Sequence, residues 1–209
     1  MPTGPEVVTI TVDLASEMAV VRLSDGTRRT TSVDGSRFDA SSRVLRLTYT
    51  PAFDWLVAVT TTGDTVRFEL PSPASPAPLD GRVVVYLDQN QWSAITNARY
   101  APSRVPEPDR VAALNLARLV DDGLVVLPAS AAHYVETTVW ADTERRYLLG
   151  LPVLQLSRGW QMRHPLDLRR EEFADLLAGR EPDLAGSTAE PVFTLAPGRL
   201  LSPDAPLSI

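Results

Sequence analysis

A run rich in proline, serine and alanine constrains the fold of this chain more than any other feature. It reads PSPASPAP over residues 71–78. Proline fixes φ and favours extended, semi-rigid backbone, so such a run is typical of a linker between separately folded parts. We therefore predict a first domain over residues 1–71, a linker over 72–81 and a second domain over 82–209.

The first domain shows the patterns of antiparallel β-structure. Dipeptides such as Asp25-Gly26 and Gly63-Asp64 favour tight hairpins, because the turns that join two strands need positive φ. No cluster of titratable side chains stands out, so an accessory or docking role is favoured over catalysis. We expect a small antiparallel meander or barrel built from five strands, at Val7–Val12, Met18–Leu23, Arg43–Tyr49, Trp55–Val59 and Thr65–Leu70.

Composition excludes several classes of site. The chain has no cysteine, which rules out disulfides, thiolate catalysis and cysteine-ligated zinc. Its net charge of −6 argues against nucleic-acid binding by the whole surface, although a local basic groove remains compatible with it. All its basic residues apart from histidine are arginine, which GC-rich coding explains better than selection for phosphate binding.

No apolar run approaches the roughly 18 residues needed to span a bilayer. Residues 1–6 lack the basic and apolar regions of a secretory signal. We therefore expect a cytoplasmic protein with no membrane partner.

The second domain alternates predicted strands and helices. Val83–Leu87 and Leu124–Leu127 are apolar and β-branched, as buried strands are. A short helix near Trp92–Ile95 follows the first strand, a helix capped by Asp109 precedes the second, and Ser130 is placed to cap the helix after it. The order strand, helix, strand, helix predicts a βαβ unit with a parallel sheet and flanking helices, an α/β fold.

Three further elements are expected in the second domain. The apolar segment Leu148–Leu156 is helical in pattern, although Pro152 should interrupt it. Leu166–Leu177 has the spacing of an amphipathic helix. Val192–Leu195 has the composition of a short strand.

Two carboxylates are predicted to meet at one edge of this sheet. Asp88 follows the first strand, and Glu136 lies one to two turns into the helix after the second. Ligands of open α/β sheets bind at the carboxyl ends of the strands, and carboxylates without cysteine favour a hard cation such as Mg²⁺ or Mn²⁺. Such an ion can activate water for attack on a phosphodiester. Asp88 alone is interpreted equally well as a helix N-cap.

Two segments resemble the motifs of PIN-like domains. LDQNQW at residues 87–92 resembles their opening motif, in which an apolar strand ends in Leu-Asp-x-Asn. Residues 126–136 resemble their second motif, a strand that leads to a helix with an acidic residue, and the resemblance covers residues 82–209. It implies a PIN-like parallel sheet and a Mg²⁺- or Mn²⁺-dependent endoribonuclease. Asp88 and Glu136 would be catalytic metal ligands, and Asn90 would steady Asp88 or contact the phosphate.

The sequence departs from this family after the second motif. PIN-like domains normally carry further acids near a later strand, whereas this chain has only Asp204 after Leu195. Either the chain ends before the family's C-terminal acid or the domain lacks it. Asp142 and Glu144 are the nearest substitutes, but a solvated helix face explains both better.

Basic side chains offer a route to substrate binding. His133 precedes Glu136 by one helical turn and could contact a phosphate or shuttle a proton, although a histidine bonded to a nearby carbonyl is the favoured interpretation. A basic run with Trp160 among its members could grip an RNA backbone and stack on a base, while a surface helix balanced by acids explains it more simply. The run consists of Arg158, Arg163, His164, Arg169 and Arg170.

The leading hypothesis is therefore a metal-dependent ribonuclease whose β module recruits substrate or a regulatory protein such as an antitoxin. The alternative is an inactive PIN-like domain that serves as an interaction scaffold for protein or RNA, and the negative charge favours a protein partner. A HAD-type phosphatase is disfavoured, because that chemistry needs a second aspartate where this chain has Asn90.

Overall fold

The chain divides into two structural units, Met1–Pro76 and Ala77–Ile209. The computed structural model describes residues 4–34, 43–70, 79, 81–139, 142–179 and 192–195. Residues 72–78 and 80 of the predicted linker lie outside the described residues, so the linker and the domain bounds built on it stay predictions.

The first unit is a single antiparallel sheet. Its six strands are β1 (Val7–Asp13), β2 (Met18–Leu23), β3 (Arg28–Ser32), β4 (Val44–Tyr49), β5 (Trp55–Thr60) and β6 (Thr65–Glu69). The spatial order is β3-β2-β1-β4-β5-β6, so the chain passes from the edge strand β3 back to the centre of the sheet. Buried apolar side chains alternate with more exposed ones along β2, where Ala19 and Leu23 are buried.

Strand β3 has no counterpart among the strands that the sequence predicts. All five of its residues are exposed, and its sequence RRTTS offers no apolar alternation. Backbone pairing with β2, from Met18 opposite Ser32 to Arg22 opposite Arg28, is what defines it. The turn between the two strands contains Gly26 at φ 86°, a conformation that favours glycine.

The second unit is mainly helical. Its elements are β7 (Val83–Val84), α1 (Gln89–Tyr100), a 3₁₀ turn (Pro102–Arg104), α2 (Glu107–Asp121), β8 (Val125–Val126), α3 (Ala131–Thr138), α4 (Thr143–Ser157), β9 (Gln161–Met162), α5 (Pro165–Leu177) and β10 (Phe193–Thr194). None of the helices described combines the length and apolar composition needed to cross a membrane.

The predicted PIN-like parallel sheet is wrong. Within the described ranges the only parallel sheet has two strands, β7 and β8, with Val83 opposite Val125 and Val84 opposite Val126. Strands β9 and β10 pair antiparallel. The apolar runs that predicted long strands continue instead as extended chain that packs on helices, and Leu87 and Leu127 belong to the helical core. A short apolar run does not distinguish these two outcomes.

Helix bounds also differ from the predicted ones. Helix α1 is longer than expected and begins directly after Asp88. Helix α2 begins at Glu107 after Pro106, so Asp109 lies inside its first turn and is not the cap. Helix α4 continues through Pro152, which is buried in the unit. Packing of its apolar neighbours compensates for the hydrogen bond that proline cannot donate.

The main core of the second unit joins α1, α2 and α4 to the segments that follow β7 and β8. Its largest fully buried side chains include Trp92, Ile95 and Leu127. A smaller cluster holds Trp160 and Leu195 beside β8. The main core fixes the positions of the turns that carry Asp88 and Ser130.

Candidate functional site

Asp88 is the N-cap of α1. Its Oδ1 accepts hydrogen bonds from the backbone N–H of Asn90 at 2.8 Å and of Gln91 at 3.0 Å. The Gln91 side chain accepts a hydrogen bond from the Asp88 N–H at 2.8 Å, which completes a capping box. The side-chain Oδ2 of Asp88 has no hydrogen-bond partner among the described residues, and Asp88 is exposed. The cap therefore fixes this carboxylate and leaves one of its oxygens facing outward.

Asn90 supports Asp88 through its backbone. The hydrogen bond that reaches the Asp88 carboxylate comes from the Asn90 amide N–H. Any amino acid except proline could supply that donor. The predicted role of the Asn90 side chain, to steady Asp88 or contact a phosphate, stays a prediction.

His133 ties the two acid-bearing segments together. Its Nδ1 accepts a hydrogen bond from the Ser130 N–H at 3.0 Å, and its Nε2 lies 2.8 Å from the carbonyl oxygen of Leu87, the residue before Asp88. A ring nitrogen that accepts from an N–H carries no proton, so the proton is on Nε2 and is donated to Leu87. The imidazole is thus neutral, and both its nitrogens are engaged.

Burial of His133 reinforces the neutral form. Only 2% of the residue is exposed, and this burial lowers the pKa of its imidazole below the usual 6.5. The hydrogen bond to Leu87 and the negative charges of Glu136 and Asp88 act in the opposite direction and are smaller. A bridge of this kind leaves no ring nitrogen to contact a phosphate or to shuttle a proton.

Glu136 lies on α3, one helical turn beyond His133, and it is exposed. The His133 bridge ties the start of this helix to the residue before Asp88. Among the described residues, Asp88, His133 and Glu136 do not form a group close enough to hold a metal ion. The predicted convergence of the two carboxylates therefore stays a prediction.

Neighbouring side chains hold the bridge in place. The ring of Tyr86 stacks on that of His133 at 5.4 Å between centroids, and Trp92 meets it edge-on at 5.9 Å. The hydroxyl of Thr137 donates a hydrogen bond to the carbonyl oxygen of His133 at 2.7 Å. The same hydroxyl accepts a hydrogen bond from Nε2 of Gln89 at 3.4 Å. The two aromatic contacts therefore restrain the ring, and the polar contacts from α1 and α3 restrain the backbone of the same residue.

The predicted basic run is divided among structural roles. Arg158 pairs with Asp121 at 3.0 Å, and Arg163 pairs with Glu171. Trp160 is 2% exposed and lies under the Arg82 guanidinium, so it is not placed to stack on a base.

The remaining members of the run belong to α5. His164 caps this helix, accepting from the Leu166 N–H at 3.3 Å. Arg169 and Arg170 are exposed on it. The structure therefore gathers no part of the basic run beside Asp88, and RNA binding by these arginines stays a prediction.

A third acid is not found beside Asp88 and Glu136. In the parts of the chain that the structure describes, no three His, Asp or Glu side chains cluster closely enough to hold a metal ion. Asp142 caps α4 by accepting from the backbone N–H groups of Glu144 and Arg145, at 2.9 and 3.2 Å. Asp204 lies outside the described residues.

The sequence favours a His133 bonded to a carbonyl, and the structure shows such a bond, to Leu87. The bond to Ser130 and the supporting roles of Tyr86, Gln89 and Thr137 were not predicted. A signal for the first was present, because Ser130 and His133 have the spacing of a capping box with histidine in place of glutamate. Comparison with protein-family models, with curated proteins and with solved structures found no match to this chain.

Proposed function

We propose that Asp88 and Glu136 bind one Mg²⁺ or Mn²⁺ ion and that the protein is an endoribonuclease that hydrolyses RNA phosphodiester bonds with it. The observation that carries the proposal is the His133 bridge. It links the turn before α1, where Asp88 lies, to the turn before α3, the helix that carries Glu136, and both carboxylates are exposed. Functional carboxylates need such rigid support to hold their geometry.

The donor set suits a magnesium-like ion. Mg²⁺ is commonly held by one or two carboxylates, with water and substrate phosphate completing the shell. Asp88 offers Oδ2, since Oδ1 is engaged by the cap, and Glu136 offers an exposed carboxylate. The absence of cysteine points the same way, because oxygen ligands select hard cations.

The chain's own groups would position substrate. Helix α1 begins directly after Asp88, and the His133 bridge ties the start of α3 to the residue before Asp88. The N-terminus of a helix attracts phosphate through its dipole. A bound ion would supply an activated water and neutralise charge on the phosphate. His133 would act as a positioning residue, since its ring nitrogens are already hydrogen-bonded. The resemblance of residues 87–92 and 126–136 to PIN-like motifs supports the same assignment of the acids.

RNA cleavage tests this proposal. A pool of structured and single-stranded RNA is incubated with the full chain in Mg²⁺, in Mn²⁺ and in EDTA. Asp88→Asn keeps a good N-cap and removes the charge, so it separates chemistry from folding. We expect Asp88→Asn and Glu136→Gln to lower the rate by about 100-fold or more, since a metal stabilises the transition state by several kcal/mol.

Asp122→Asn is the matched control, because it removes the charge of another exposed aspartate of the second unit, one that pairs with Arg118. It should cleave as wild type does. Cleavage that survives in EDTA or in Asp88→Asn would contradict the proposed site.

A second candidate function is binding without catalysis. It is favoured by the lack of a third metal-ligating side chain near Asp88 and Glu136 within the described ranges. In that case the protein would be a scaffold for RNA or for a protein such as an antitoxin, and its net charge of −6 favours the protein. Metal binding without cleavage of any RNA in the pool would support this candidate over the nuclease.

A further inference from the structure

A cavity of about 370 Å³ lies beside α1, bordered by the 3₁₀ turn and by the first half of α4. The wall on α1 is formed by Ser93, Thr96, Asn97 and Tyr100. Their spacing of three, four and seven residues places them on one helical face. The volume is at the lower end of the range of about 300–1,000 Å³ for small-molecule sites, so it suits one small ligand.

The lining combines one aromatic ring, an amide and two guanidinium groups. Tyr100 lines the cavity, and 44% of this residue is exposed. The Asn97 side chain, which carries both a donor and an acceptor, has no hydrogen-bond partner among the described residues. Arg104, on the 3₁₀ turn, and Arg145, on α4, also line the cavity, and Leu148 adds apolar surface.

Acidic residues limit the charge that this cavity can accept. Asp142 and Glu144 also line it, so the two arginines are balanced. The Asp142 carboxylate already accepts two backbone N–H groups at the start of α4. Such a lining suits a ligand with a single phosphate better than one with several, because the two carboxylates repel each added negative charge.

We propose that this cavity binds one nucleotide of an RNA substrate, with the base on Tyr100 and the phosphate on Arg104. Single-stranded RNA is recognised by stacking on aromatic rings and by hydrogen bonds to base edges, for which an amide such as that of Asn97 is suited. Arginine is suited to the phosphate. The assignment of this nucleotide to an RNA substrate rests on the function proposed above. The binding of a mononucleotide in the cavity does not depend on that function.

The cavity lies farther along α1 than Asp88. Tyr100, on which the base would stack, is twelve residues beyond Asp88 on the same helix. At 1.5 Å per residue this is about 18 Å along the axis. The bound nucleotide would therefore lie away from the scissile phosphate, elsewhere along the same RNA strand.

Calorimetric titration of the full chain with the four nucleoside 5′-monophosphates, in EDTA, tests the proposal. Wild type should bind at least one of them. Tyr100→Ala should weaken binding about 5- to 150-fold, the range for loss of one stacked base. Arg104→Ala should weaken it by at least about fivefold, as expected for a lost charged contact.

Two controls make the result specific. Arg118→Ala removes an exposed arginine of α2, and Phe173→Ala removes an exposed aromatic ring of α5. Both should bind nucleotide within about twofold of wild type. No binding at millimolar nucleotide, or binding unchanged in both Tyr100→Ala and Arg104→Ala, would overturn the proposal.

The outcome is separable from that of the nuclease test, because EDTA removes the metal. Metal-dependent cleavage by a chain whose cavity binds no nucleotide would overturn this inference and leave the nuclease standing. Nucleotide binding that needs Tyr100 and Arg104, in a chain that cleaves no RNA, would support the cavity and contradict the nuclease.

Discussion

Truncation of His133 to alanine should destabilise the second unit strongly. The ring hydrogen-bonds to the N–H of Ser130 and to the carbonyl of Leu87, and 2% of the residue is exposed. Alanine would leave both backbone groups without their partner in the core. It would also remove the stacking contact with Tyr86.

The expected loss can be built from these parts. A buried polar group deprived of its partner costs about 1–3 kcal/mol, and there are two such groups. The empty ring volume adds to that cost, so the free energy of unfolding should fall by about 4 kcal/mol. In His133→Asn the side-chain oxygen takes the place of Nδ1, and in His133→Gln the amide nitrogen takes that of Nε2. Each keeps one of the two bonds and should lose about 2 kcal/mol.

Urea unfolding followed by circular dichroism measures these losses, with separate transitions fitted for the two units. His164→Ala is the control, since it removes another histidine that caps a helix but lies at the surface. It should cost about 1 kcal/mol, the usual value for an N-cap. A loss below about 1 kcal/mol in His133→Ala would refute the bridge.

Three further outcomes are expected. Burial lowers the pKa of His133, so the unfolded chain binds a proton that the folded chain does not, and the free energy of unfolding should fall as pH drops below about 6.5. In urea titrations from pH 7.5 to 5.5, wild type should lose up to about 1.4 kcal/mol per pH unit more than His133→Asn. Gly123 has φ 74°, a conformation that asparagine tolerates better than alanine. In thermal unfolding, Gly123→Ala should lower stability by about 1 kcal/mol and Gly123→Asn by less. Equal losses would contradict the backbone conformation as their cause. Asp88→Ala should lower the free energy of unfolding by about 1 kcal/mol in urea, and Asp88→Asn should lower it by less than about 0.5 kcal/mol. No loss in Asp88→Ala would mean that the cap contributes nothing.

Local patterns predicted those features of the fold that depend on neighbouring residues. Asp25-Gly26 and Gly63-Asp64 occur at turns between paired strands, because positive φ is a local requirement. Strand β3 could not be found in this way, since backbone pairing with β2 defines it and its side chains contribute no pattern.

The parallel sheet was predicted wrongly because it depends on distant partners. The runs before Asp88 and Pro128 are apolar enough for long buried strands, yet β7 and β8 pair over two residues. Which surface buries an apolar run is decided by tertiary packing, and here α1, α2 and α4 provide it. The two turns that lead into α1 and α3 depend on local sequence, and these are present.

The role of His133 illustrates the limit at the candidate site. Its position one turn before Glu136 follows from helical spacing, but its bond to Leu87 joins residues 46 apart in sequence. Burial and the direction of its pKa shift follow from that contact.

Metal binding at Asp88 tests the central claim most directly. Mn²⁺ is titrated by calorimetry into wild type, Asp88→Asn, Glu136→Gln and the control Asp122→Asn. The account predicts one binding event in wild type and in Asp122→Asn, and its loss in Asp88→Asn and Glu136→Gln, which keep their helices. Absence of binding at millimolar Mn²⁺, or equal binding in all four proteins, would contradict it.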